Sequence, residues 1–164
     1  MTGVRVEKLT KVYRQDSIAV TALRDVDLDM LEASRGRLEP RVHDRALHVI
    51  SENQRVLDAV AALERGDHEA LSALLAASHA SLRDLYEVSC PELDVLVDIA
   101  VATPGVVGSR MTGAGFGGCT VTLVSPGAVD VLRYRVFEEY PARTGRTPRM
   151  WTLSAVDGAG FVEA

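Results

Sequence analysis

The chain has little cysteine, almost no lysine and no long apolar run, and each shortage excludes something. Its two cysteines, Cys90 and Cys119, lie far apart and without C-x-x-C spacing. That indicates neither a disulfide framework nor a zinc site, and a reduced cytoplasmic protein is the expectation. No apolar stretch approaches the roughly 18 residues a spanning helix requires, and charges are spread through the first fourteen residues, where a signal peptide would be apolar. A membrane partner is therefore not expected. A net charge of −5 with charge clusters of mixed sign argues against a nucleic-acid surface. The only lysines are Lys8 and Lys11, and arginine fills the remaining basic positions. No Gly-Lys-Ser/Thr occurs, so a P-loop is excluded.

What is present is one domain's worth of sequence, 164 residues with 47% apolar content, enough to bury a core. Glycine is concentrated in one place. Five glycines fall within the eleven residues Gly108 to Gly118, directly before the apolar, β-branched run Cys119 to Val124. Such density marks a loop that must take positive φ or let another group approach the backbone, and its amides can receive an anion. Gly113, Gly115 and Gly118 match G-x-G-x-x-G. That fingerprint requires a helix to start within the glycines, whereas Cys119–Val124 has the composition of a strand stopped by Ser125-Pro126-Gly127. The arrangement predicted is strand, glycine loop, strand.

The wording Ser109-Arg-Met-Thr-Gly-Ala-Gly-Phe-Gly-Gly-Cys-Thr120 resembles the third motif of galactokinases, in the GHMP small-molecule kinase superfamily. Ala77-Ser-His-Ala-Ser-Leu82 and Tyr86-Glu-Val-Ser-Cys-Pro-Glu-Leu-Asp94 are also worded like galactokinase, and the resemblance covers residues 23 to 164. A second resemblance is confined to residues 4 to 28. Val4-Arg-Val-Glu-Lys-Leu-Thr-Lys-Val-Tyr-Arg14 and Ala22-Leu-Arg-Asp-Val-Asp-Leu28 are similar to the opening of an ABC-transporter ATPase, but no nucleotide motif follows. The expected organisation is a leader of unrelated wording at 1–22 and a GHMP kinase C-terminal domain at 23–164.

In order, Val4 to Tyr13 predicts a short strand. Asp27 can cap a short helix carrying Leu28, Leu31 and Leu38. Glu39-Pro40 opens a long helix that ends at Gly66. On it Val42, Ala46, Val49, Ile50, Asn53, Val56, Leu57, Val60 and Leu63 share one stripe, with His48 and Asn53 expected as satisfied groups at the core's edge. Asp67 starts the next helix, with Leu71, Leu74, Leu75, Ser78, Leu82 and Leu85 facing inward. Ser78, His79 and Ser81 are poorly placed for a nucleophile and base, since successive helical positions point about 100° apart and no acid is placed to orient the ring. Ser89 and Glu92 have capping-box spacing around Pro91. Cys90, at that helix start, is expected as a half-buried cap residue. After the hairpin a helix from Ala128 is expected to end at Pro141, Met150–Leu153 to form a last strand, and Asp157–Gly160 to form a loop at the sheet's edge. The fold class expected is α+β, helices on one face of a small antiparallel sheet.

The resemblance implies ATP-dependent phosphorylation of galactose at the anomeric hydroxyl, with Mg²⁺. The family's sugar-gripping Gly-Arg-x-Asn-x-x-Gly-Glu-His motif, its serine-rich phosphate loop and its catalytic aspartate lie upstream of the matched part, and this chain contains none of them. By resemblance, Thr112, Gly113, Ala114, Gly115, Phe116, Gly117 and Gly118 form a supporting loop beside nucleotide phosphate and sugar. The expectation is a C-terminal part of a galactokinase, truncated and inactive alone, that binds neither ATP nor Mg²⁺ tightly and is complemented by an N-terminal kinase domain. Two alternatives are a non-catalytic protein-binding module and an ABC-type ATPase fragment.

Overall fold

The computed structural model describes residues 9–15 and 18–155, with side chains from Asp27 to Ala155. Two strands, β1 (Leu9–Gln15) and β2 (Ile18–Val26), pair antiparallel with Gln15 opposite Ile18. The expected first strand thus begins at Leu9, and Val4 to Lys8 lie outside the described residues. Asp27 follows, its carboxylate accepting the Met30 N–H at 2.8 Å, and α1 (Leu28–Ala33) begins there. Leu31 is its buried residue, whereas Leu38 falls beyond the helix.

The long helix α2 (Pro40–Arg65) has the expected bounds. Pro40 sits at its first turn, where a missing N–H is harmless, and Gly66 closes it at φ 63°. Its orientation is a correction. The buried residues are His43, His48, Ile50 and Ala62, while Val42, Val56, Leu57, Val60 and Leu63 of the apolar stripe are 49–64% exposed. Packing turned the helix because the histidine side carries polar groups that find specific partners on α3 (His68–Asp84). α3 is capped by Asp67, which accepts the Ala70 N–H at 3.0 Å.

α4 (Pro91–Val101) starts at Cys90, without a side-chain cap. The capping box is therefore absent: Ser89 Oγ donates to Asp94 rather than completing a pair with Glu92. Strands β3 (Val106–Thr112) and β4 (Cys119–Val124) form an antiparallel hairpin, with Thr112 opposite Cys119 and Arg110 opposite Val121. Gly108 lets β3 lie close against α3: a Cβ there would come within 2.7 Å of Leu75 Cδ1 and 3.1 Å of Leu75 Cβ. A short 3-10 turn, Pro126–Ala128, leads into α5 (Val129–Thr144). Pro141 does not end α5 as expected. It lies inside the helix, and Gly145 at φ 70° closes it one turn later.

The core lies between α4 and α5, where Ile99 and Ala100 meet Leu132, Val136 and Tyr140, with Val106, Val124 and Met150 packed against them. Met150–Leu153 forms no strand. Met150 seals the core, while Trp151 and Leu153 are 67% and 88% exposed, since no ladder partner lies beside them among the described residues. Asp157–Gly160 lies outside the described residues. The fold is α+β, helices plus two two-stranded antiparallel sheets, β1–β2 and the β3–β4 pair that carries the glycine hairpin. Among the described residues no helix is long and apolar enough to cross a membrane.

Candidate functional site

The hairpin loop from Thr112 to Gly118 sits at the end of β3 and is built on positive φ. Gly113, Gly115, Gly117 and Gly118 have φ of 85°, 83°, 116° and 106°, and Phe116 joins them at 57°. A non-glycine residue in that region is strained and persists only where its surroundings hold it. Here the segment after α3 does so: the Phe116 N–H donates to Val88 O at 2.8 Å, while the Phe116 ring is 77% exposed. Gly115 makes the contact possible, since a Cβ at that position would fall onto the Val88 carbonyl and within 2.7 Å of the Val88 Cβ.

The strand leading into the loop is held from the other side. The Met111 N–H donates to His79 Nδ1 at 3.2 Å, and both residues are buried. Because Nδ1 accepts, the His79 proton is on Nε2, which lies 3.1 Å from Asp94 Oδ1, off the line of a directed hydrogen bond. Burial lowers the His79 pKa below the ordinary imidazole value, outweighing the opposing charge of Asp94. Asp94 also accepts from Ser89, so α4 is tied through His79 to the base of the loop.

A second polar cluster is built on the immediate neighbours of His79 and Met111, namely Ser78 and Arg110. Arg110 Nη1 donates to Glu52 Oε1 at 2.7 Å and also to Ser78. Ser78 donates to Glu52, and Arg55 pairs with Glu52 at 2.6 Å. Burial alone would raise the Glu52 pKa, but the Ser78 and Arg55 hydrogen bonds and the charges of Arg55 and Arg110 hold it below the usual carboxylate value. His48, lowered by burial against the pull of Glu52, bonds Ser81 Oγ at 2.8 Å and stacks on Tyr86. Ser78 and Ser81 thus serve different partners, and neither forms a nucleophile with His79. Asp94 is nonetheless an acid beside His79, which sequence spacing alone did not reveal.

Beside the loop, Cys90, Leu93, Leu96, Phe116, Gly117 and Tyr140 line a cleft of about 220 Å³, which the paired Arg146 and Glu92, 3.0 Å apart, also line. Cys90 is half-buried and Cys119 exposed. The structure brings the seven expected loop residues together as one turn. It adds Val88 and His79 as the groups that hold that turn, and each lies in a stretch whose wording gave a signal, Tyr86–Asp94 and Ala77–Leu82.

Residues 59–142 match the family model described as GHMP kinases C terminal. The galactokinase of Roseiflexus sp. (strain RS-1) is 48% identical over 143 residues, covering 87% of this chain and 37% of that protein. Human galactokinase is 50% identical over 156 residues, covering 95% of this chain and 38% of that protein. The crystal structure of Lactococcus lactis galactokinase complexed with galactose superposes with a TM-score of 0.69 at 39% identity, over 73% of this chain and 31% of that one. The chain therefore spans little more than a third of the length of these curated relatives. With the family model matching half of its residues and relatives near 50% identity along most of its length, the chain belongs to the GHMP kinases, whose C-terminal domain it carries.

Proposed function

We propose that the chain serves as the C-terminal part of a galactokinase-type sugar kinase, which transfers a phosphoryl group from ATP to the anomeric hydroxyl of galactose. The observation that carries this is the glycine loop: five residues at positive φ between Gly113 and Gly118, clamped on Val88 and leaving β3 at the His79 bond. Such a turn presents backbone amides as fixed, uncharged donors, and fixed donors stabilise developing negative charge without reorganising. Thr112 to Gly118 would support phosphate and sugar oxygens, while Val88 and His79 set the position of that support.

Phosphoryl transfer also requires a metal on the phosphates and a group that handles the proton of the attacking hydroxyl. Among the described residues no three or more His, Cys, Asp or Glu gather as metal ligands. In this reading those groups, and tight binding of ATP with Mg²⁺, come from a complementary N-terminal kinase domain. The chain alone is then inactive, because each missing group contributes on the order of several kcal/mol to lowering the barrier.

The test is formation of sugar phosphate from ATP and galactose by the purified chain, alone and mixed with a separately made galactokinase N-terminal half. No product alone and product on mixing is the expected result. Product from the chain alone would overturn the dependence. A mixed complex that forms but makes no product would remove the catalytic reading and favour a binding module.

A further inference from the structure

We infer that His79 is a proton-operated latch on the glycine loop: with Nδ1 bare it holds β3 at Met111, and with Nδ1 protonated it lets go. β3 has β4 on one side only, and from α3 His79 takes the Met111 N–H at 3.2 Å. The loop begins at the next residue, Thr112. An imidazole can accept that bond only through an unprotonated nitrogen. Imidazolium donates from both nitrogens, so a proton on Nδ1 sets donor against donor and the bond is lost. The loop beyond carries the strained Phe116 at φ 57°, and such strain persists only while its surroundings hold it.

Asp94 joins the latch to the second hold on the loop. Its Oδ1 lies 3.1 Å from His79 Nε2 and also accepts from Ser89 Oγ, and Ser89 follows Val88, whose carbonyl takes the Phe116 N–H. One carboxylate oxygen therefore faces both holds. Charging the ring draws that oxygen toward Nε2–H at the expense of Ser89, so both ends of the loop loosen together. Burial, the largest influence, keeps the ring neutral until the pH falls below 6.5; Asp94 and Asp98 on α4 favour the charged form and Arg83 on α3 opposes it. Asp84 on α3 pairs with Arg83 and also senses the ring. Arg110, next to Met111 on β3, is committed to Glu52 on α2, which also pairs with Arg55. His48 is lowered by burial as well, but its ring meets Ser81 and Tyr86 rather than β3.

The test is nuclear magnetic resonance on the full, nitrogen-labelled chain. Near neutral pH His79 should show the Nε2–H tautomer, with a coupling between its Nδ1 and the Met111 nitrogen across the hydrogen bond. As pH is lowered, that coupling should vanish and the amides of residues 112–118 should shift together, at one midpoint below 6.5 and with helix content retained. His79→Gln supplies an acceptor that does not titrate, so its loop amides should lack the step. At about pH 5 its Met111 amide should exchange at least about ten-fold more slowly than in the parent chain. Asp94→Asn should move the midpoint to lower pH, since the charged ring loses its anion, and His48→Gln should leave the step in place. In the complex with a galactokinase N-terminal half, product formation should fall at the same midpoint, and His79→Gln should lack that fall. This last arm alone rests on the kinase reading: absence of product at every pH refutes that reading, while the spectra of the chain decide the latch. An Nδ1–H tautomer, loop amides that stay put while His79 titrates, a step that His79→Gln retains, or loss of helix content at the same midpoint would overturn the latch.

Discussion

Replacing Gly115 by alanine tests whether the glycine loop is held by Val88 or merely shaped by its own backbone. Gly115 has φ 83°, and Gly113, two residues before it, has φ 85°. Placing an L side chain in that region costs about 1–2 kcal/mol at either position. The surroundings differ. A Cβ on Gly113 meets nothing within 4 Å, whereas one on Gly115 meets the Val88 carbonyl and its Cβ at 2.7 Å. Alanine at 115 must therefore push the 86–89 segment away and lengthen the 2.8 Å bond from the Phe116 N–H, which adds about 1–2 kcal/mol for a weakened hydrogen bond and lost packing. Gly113→Ala should cost about 1–2 kcal/mol and Gly115→Ala about 2–4 kcal/mol. In a domain of this size the second corresponds to a fall in Tm of roughly 5–12 °C. Gly36→Ala, with open space and no positive φ, is the neutral control. Urea denaturation of the three variants gives the values directly. Equal losses at 113 and 115 would refute the clamp, because backbone strain would then account for both.

Folded-state pKa values below 6.5 at His48 and His79 mean that the unfolded chain binds more protons as pH falls. Stability should hold above pH 6.5 and decline as pH drops from there through the lowered folded values, and His79→Gln should flatten that decline in urea midpoints. Glu52→Gln removes the carboxylate between Arg55 and Arg110, leaving two cations without their shared partner. With the side chains of Glu52 and Arg110 21% and 30% exposed, water screens part of the loss, and about 1–2 kcal/mol is expected by denaturant titration. Since the Glu52 pKa is depressed below 4.5, its contribution should be present above that pH and fade as pH falls below it, a step that Glu52→Gln should lack. Asp67→Ala should cost about 1 kcal/mol through loss of the α3 cap, read from the same unfolding curves.

Sequence alone determined the features whose causes lie within one turn of chain. Pro40 and Gly66 bound α2, Asp27 and Asp67 cap their helices through the third residue onward, and the apolar run Cys119–Val124 next to dense glycine is a strand leaving a tight loop. Those are local steric and hydrogen-bonding effects, and the residue types at fixed offsets carry them completely. Tertiary structure decided which partners were chosen among groups far apart in sequence. α2 buries His43, His48 and Ile50 and leaves its valine stripe to solvent because His48 meets Ser81 across 33 positions and Glu52 meets Arg110 across 58. Ser89 abandons the capping box for Asp94, and Pro141 stays inside α5 because the helix can omit one hydrogen bond while Tyr140 remains packed in the core. Met150–Leu153 has the alternation of a strand, but a strand needs a neighbour, and only Met150 finds one, in the core between α4 and α5. The grip of Val88 and His79 on the glycine loop belongs to the same class: no spacing in the chain encodes it, since it exists only once α3 lies along β3.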